Sequence, residues 1–167
     1  MCSSVDLPAP EGPMIEMNSP ELADAYRIEF EEMWGASGAA PNPTASNYHS
    51  RKTDNTPHTF TVNGITIEQY MSTSDATEAH IVTAINTLQK SALFCIMSYT
   101  QNAYTGAFQT KWYGGNFALS GVFDSGNINS FSEWYDLTGT GGDQPFSPPA
   151  DVWMDGRPSG ILHHKYL

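Results

Sequence analysis

Apolar positions recur at two different periods along this chain, and the alternation between them predicts its elements. From Ser19 to Gly35, Leu22, Tyr26, Phe30, Met33 and Trp34 fall at steps of three and four, which puts them on one face of a helix. Ser19 is placed to cap it, Pro20 suits the first helical position, and Glu21 with Asp24 complements the helix dipole. The helix should run to Trp34 and stop at Gly35. The segment "HTFTVNGITIEQYMS" changes to period two around Asn63-Gly64, the pattern of a hairpin closed by a two-residue type I′ turn.

Helical spacing returns in "DATEAHIVTAINTLQKS", where Ile81, Val82, Ile85 and Leu88 form a stripe and Ser74 or Asp75 is the expected cap. "ALFCIMSY" is an unbroken apolar run of strand length, as expected for a central strand covered on both faces. "AYTGAFQTKWY" reads as a short helix, "FALSGVFD" as a buried strand ending in Asp124, and "NSFSEWYDLTG" as a helix closed by Gly139. Strands alternating with helices at this spacing predict an α/β fold, a layered mixed sheet flanked by helices. After the Gly/Pro-rich loop "GTGGDQPFSPP", the segments "DVWMD" and "ILHHKYL" flank the turn "DGRPSG" and read as a hairpin.

The rest of the chain has no core pattern. Residues 1–18 hold three prolines and read as an extended leader. A long polar loop between Gly35 and Pro57 carries Arg51 and Lys52, read as solvated charges or, more sharply, as a phosphate contact. The predicted organisation is thus a leader over 1–18, a helix and polar loop over 19–57, and an α/β domain over 58–167 that is incomplete at its C-terminal end.

Composition narrows the functional classes. The chain of 167 residues is 40% apolar and 12% aromatic, enough for the core of one ordinary domain. Its 7 Lys and Arg face 18 Asp and Glu, a formal net charge of -11, which repels phosphodiester backbones and anionic membrane surfaces at long range. Cys2 and Cys95 do not make a disulfide framework, and Cys95 inside its apolar run reads as a small core residue. No stretch reaches the roughly 18 apolar residues of a membrane span, and no signal peptide heads the chain. The polar, weakly charged composition nevertheless leans towards a secreted or periplasmic protein.

Candidate chemistry lies in the terminal "ILHHKYL". On a strand, Ile161, His163, Lys165 and Leu167 share one face, and Leu162, His164 and Tyr166 share the other. A neutral imidazole beside an ammonium suits nucleophilic attack on a phosphate whose charge the lysine neutralises. A basic edge strand that discourages aggregation is the plain alternative. His163 and His164 point to opposite faces and would not chelate one metal ion, so neither a metal nor a cofactor is expected. Asp124, Asp151 and Asp155 read as turn or capping residues; of Trp34, Trp112, Trp134 and Trp153, the three on predicted helix faces read as core. His58 opens a strand without an evident role.

"HHKYL" resembles the opening of the H-x-K-x4-D motif of the phospholipase D superfamily, with His163 as its histidine and Lys165 as its lysine. "YRIEFEEMWG" is similar to the helix preceding the catalytic core in bacterial phospholipase D-like proteins. "IEQYMSTSDATEAHIVTAINTLQKSALFCIMSYT", "LSGVFD" and "DVWMDGRPSGILHHKYL" resemble the elements that follow, although Met71-Ser72-Thr73 replaces the family's usual Phe-Ser-Pro. The resemblance implies a phospholipase D-like half-domain and a phosphodiester hydrolase working through a phosphohistidine at His163. That histidine serves as nucleophile or as general acid and base, Lys165 binds phosphate, and no metal takes part.

Phospholipids are the substrate favoured over nucleic acid, with a nuclease of the same superfamily or a non-catalytic binding module as alternatives. The chain departs from the family in two ways. The motif aspartate would fall three residues past Leu167, and His49, His58 and His80 are followed two places on by Arg51, Phe60 and Val82, so no second H-x-K occurs. The expectation is an N-terminal fragment, inactive alone, whose second motif comes from a missing C-terminal half or a second subunit.

Overall fold

The computed structural model describes residues 16–156 and 160–167. Most of the predicted leader and the centre of the "DGRPSG" turn lie outside the described residues. The chain packs as two compact units that divide between Asp75 and Ala76, and its class is mixed α/β.

The first unit is a helix, a long loop and a hairpin. Helix α1 spans Pro20–Trp34, with the Ser19 side chain accepting the Leu22 N–H and Gly35 ending it at a φ of 75°. Its buried face differs from the predicted one: Leu22, Ala25 and Glu29 are buried, whereas Tyr26 and Phe30 are exposed. Leu22 is common to the predicted and the observed face, and the loop that follows packs against the observed one. Lys52 reaches back from that loop to pair with Glu29, both side chains no more than 5% exposed, and it also donates to the Ser72 carbonyl. Lys52 is therefore neither a solvated charge nor a phosphate contact. Glu32 adds a second tie, accepting the Thr53 N–H at 2.9 Å and hydroxyl at 2.7 Å.

Strands β1 (Thr59–Val62) and β2 (Ile65–Glu68) pair antiparallel. Asn63 and Gly64 both have positive φ, the geometry a type I′ turn requires. Phe60 lies opposite Ile67, and both pack with Leu22 and Ala25. The hairpin thus joins the helix, where the sequence reading assigned it to the α/β domain, because its single apolar face finds its cover there.

The second unit holds α2 (Thr77–Thr87), β3 (Ser91–Ile96), α3 (Asn102–Tyr113), β4 (Ala118–Phe123), the short α4 (Trp134–Leu137), β5 (Asp151–Met154) and β6 (Lys165–Tyr166). Neither Ser74 nor Asp75 caps α2. Ala76 stands at the N-cap in a left-handed conformation, and Asp75 closes the preceding turn by accepting the Met71 N–H at 2.7 Å. The helix predicted over "NSFSEWYDLTG" shrinks to α4.

The sheet runs in the order β5-β4-β3-β6. β4 pairs parallel with both β3 and β5, and β6 pairs antiparallel with β3. The expected hairpin of "DVWMD" and "ILHHKYL" does not form, since β5 and β6 occupy opposite edges. The vacant side of β3 supplies the pairing that β6 takes.

Alternation sends Ala92, Phe94, Leu119, Phe123 and Val152 into a core shared with Ile85, Ala107 and Phe108 of the helices. A β-carbon on Gly121 would overlap the Phe94 ring, so glycine there lets this ring lie across β4. Among the described residues the opposite face is largely uncovered: Leu93 and Trp153 are each 67% exposed and Tyr166 is 55% exposed. The prediction that β3 is covered on both faces therefore fails, because both helices that pack on the sheet meet the Phe94 side. Among the described residues no helix is long and apolar enough to cross a membrane.

Candidate functional site

The carboxyl ends of β3 and β4 converge where parallel sheets commonly form sites. β4 stops at Phe123, and the next residue, Asp124, is 2% exposed. Its carboxylate accepts the Asn127 side-chain amide at 2.9 Å and the Leu162 N–H at 2.5 Å. The first bond makes Asp124 the turn former that its sequence suggested. The second, across 38 residues, brings the terminal segment to the sheet one residue before His163.

The Asn127 amide first, and then the Leu162 N–H, hold the Asp124 carboxyl below the ordinary aspartate range, outweighing desolvation. Asp155 supports the same corner by accepting the Ser125 N–H at 2.9 Å. Asp151 is not a turn residue; it opens β5 and accepts the Ser120 hydroxyl at 3.0 Å and the Trp153 indole at 2.8 Å.

From Leu162 the chain runs along β3. Met97 donates to the His164 carbonyl at 2.8 Å, then Lys165 lies opposite Ile96 and Tyr166 opposite Cys95. Only Lys165 and Tyr166 are regular strand, shorter than the predicted seven-residue strand. The His164 and Tyr166 rings meet edge to face at 5.7 Å, on the side of the sheet where Tyr166 faces Cys95. Lys165 alternates to the Ile96 side, towards α2 and α3. Bonding to the Cys95 thiol raises the Tyr166 pKa.

His163 and Lys165 are both exposed, and neither side chain has a hydrogen bond or ion pair with another described residue. They are two basic groups held by their backbone while their functional atoms stay available. Lys165 also borders a cavity of about 450 Å³ lined by Ile81, Ala84, Ile85, Phe94, Tyr99 and Phe108 among others. The Tyr99 hydroxyl is turned away to Thr105 at 2.9 Å, so its ring offers the cavity an apolar surface. Burial pushes this phenol far above its ordinary pKa.

A second hollow of about 370 Å³, beside the start of α3, is lined by Glu133, Asp136 and Asp143 without a basic residue. A phosphate would be repelled there. Desolvation raises the Glu133 pKa, and Asp136 and Asp143 push it in the same direction. Among the described residues no three His, Cys, Asp or Glu side chains are arranged to hold a metal ion.

The other residues singled out in the sequence do not join His163 and Lys165. His58 lies in the first unit, its Nε2 3.1 Å from Asp54 and its Nδ1 3.1 Å from the Gln69 carbonyl. Trp112 and Trp134 pack on the core as predicted, while Trp34 stacks on Phe30 and Trp153 is exposed. Sequence patterning found His163 and Lys165 but missed the cavity, whose walls read simply as a helical stripe and a core strand. No protein family, curated protein or solved structure matches this chain.

Proposed function

We propose that this chain contributes one half of a phosphodiester-cleaving site of the phospholipase D type. The observation that carries this reading is that the His163 and Lys165 side chains are exposed and without partners among the described residues, in the segment that pairs beside the carboxyl end of β3. The H-x-K spacing supplies the chemistry and the Asp124 anchor supplies the position. In a cytosolic or exported setting alike, the two groups would meet a phosphate arriving from solvent.

Lys165 would hold a non-bridging phosphate oxygen and offset the charge that builds in the transition state. A ring nitrogen of His163 attacks phosphorus, the bond from phosphorus to the leaving alcohol breaks, and that alcohol takes a proton from a second imidazole. Water then attacks the phosphohistidine and gives its proton to the second imidazole, which frees His163 and releases a phosphomonoester. The second imidazole belongs to another H-x-K segment, from further chain or from a second copy. A net charge of -11 favours a phospholipid over a nucleic acid, whose channels are ordinarily basic.

Release of nitrophenolate from bis(p-nitrophenyl) phosphate tests the assignment. His163→Asn should lower the rate by at least about 10². A rate left unchanged removes His163 from the reaction. Phosphatidylcholine set against single-stranded DNA then decides between lipase and nuclease.

A further inference from the structure

The cavity beside Lys165 has a composition that phosphate chemistry alone does not require. Ile81, Ala84 and Ile85 of α2, Phe94 and Ile96 of β3, and Phe108 of α3 surround it, and Phe94, Ile85 and Phe108 are almost wholly buried. The Tyr99 hydroxyl accepts from Thr105, and the wall is chiefly apolar, with Tyr104, Lys165 and Tyr166 as its other polar residues. The hollow is partly open to solvent, and its apolar walls favour an apolar guest that displaces that water. Its volume, about 450 Å³, lies in the usual range of small-molecule sites.

Charge complementarity restricts the guest further. Lys165 is the lone basic residue among those lining the cavity, and its ammonium has no partner among the described residues. We infer that the cavity takes one aliphatic chain of an anionic amphiphile whose head lies on Lys165, and that Ala84 sets the length of chain admitted. This deepens the function proposed above and rests on Lys165 as the anion-holding group. It assigns chain selection to the α2 wall, away from the reacting atoms. Ala84 is exposed on its helix, so a larger side chain there fills the cavity from outside without displacing the core.

Calorimetric titration with hexyl, octyl and decyl phosphate, each kept below its micelle concentration, tests the inference without any bond cleavage. Affinity should rise about fourfold per methylene until the cavity is full, then level. Ala84→Phe should lower octyl phosphate affinity at least tenfold at an unchanged melting temperature, with Ala84→Leu falling between. Lys165→Met should erase the preference for octyl phosphate over octan-1-ol.

A flat chain-length series, or full affinity in folded Ala84→Phe and Ala84→Leu, overturns the cavity as a chain site. Octyltrimethylammonium binding as tightly as octyl phosphate overturns the placement of the head. Binding to phosphatidylglycerol vesicles that is indifferent to both substitutions would instead make this a membrane-surface contact and sink the proposal. Because no turnover is read, inactivity towards phosphodiesters leaves this result standing, and a flat series leaves the His163 assignment standing.

Discussion

The Asp124 carboxylate, at the end of β4, accepts the Leu162 backbone N–H at 2.5 Å, and so a residue of the sheet positions the segment that carries His163. The regular pairing of that segment with β3 covers only Lys165 and Tyr166. Beyond that pairing and the Met97–His164 bond, Asp124 supplies a further fixed point nearer to the start of the segment. Asp124→Ala should accelerate amide exchange at Leu162 and His163 while leaving β3 and β4 protected, read residue by residue by hydrogen exchange. Uniform protection in the variant would show that the ladder alone suffices.

Acid should release the same anchor. The folded-state pKa of Asp124 lies below its ordinary value of 3.8, so its stabilising contribution is complete above that value. It is lost as pH falls through the lower folded value. Thermal melts of the wild type between pH 5 and pH 2 should therefore fall more steeply than those of Asp124→Ala. Parallel curves would refute the linkage.

His58 should give the opposite slope. Burial works against its charged form, but the Asp54 hydrogen bond, the Gln69 carbonyl and the charges of Asp54 and Asp75 together raise its pKa above the ordinary 6.5. Its contribution is then full below about pH 6.5 and is lost as pH rises through the folded value. Urea midpoints should decline across that window in the wild type and stay level in His58→Phe.

The pair of Lys52 and Glu29 invites a double-mutant cycle. Removing the lysine alone leaves a carboxylate that is 5% exposed without its counter-charge. Lys52→Met should therefore cost about 3–5 kcal/mol in urea unfolding. Lys52→Met combined with Glu29→Leu should recover most of that loss, because apolar replacements of both members need no desolvated charge. A double variant as unstable as the single one would assign the cost to packing.

Gly121→Ala should destabilise by about 1–3 kcal/mol, since the new methyl overlaps the Phe94 ring. Phe94→Leu in the same chain should relieve part of the strain. The melting temperatures of the two single variants and the double variant measure that coupling.

Local features of the fold were legible where a residue type has a mechanism. Ser19 capped its helix, Gly35 ended it, Asn63-Gly64 turned the hairpin, and β3, α3 and β4 fell on the predicted segments. Pairing was less legible, because the apolar pattern of β6 suits any free strand edge and cannot express that β3 rather than β5 has one available. Helix faces failed for a related reason. Three-four spacing grouped Tyr26 and Phe30 with Leu22, whereas Ala25 and Glu29 are the residues buried beside Leu22, with Lys52 arriving from a loop to pair with Glu29.

His163 and Lys165 stood out because charges within an apolar run are conspicuous. The Asp124 anchor did not, since a bond spanning 38 residues has no periodicity.

The largely uncovered side of the second sheet, with Leu93, Trp153 and Tyr166 in solvent, has a colloidal consequence. Such a surface would adhere to its own kind if nothing kept molecules apart, and here a net charge of -11 does so through long-range repulsion. At physiological salt that repulsion extends only about 8 Å. Added salt should therefore increase self-association, read by light scattering, and a single charge placed at Leu93 should reduce it.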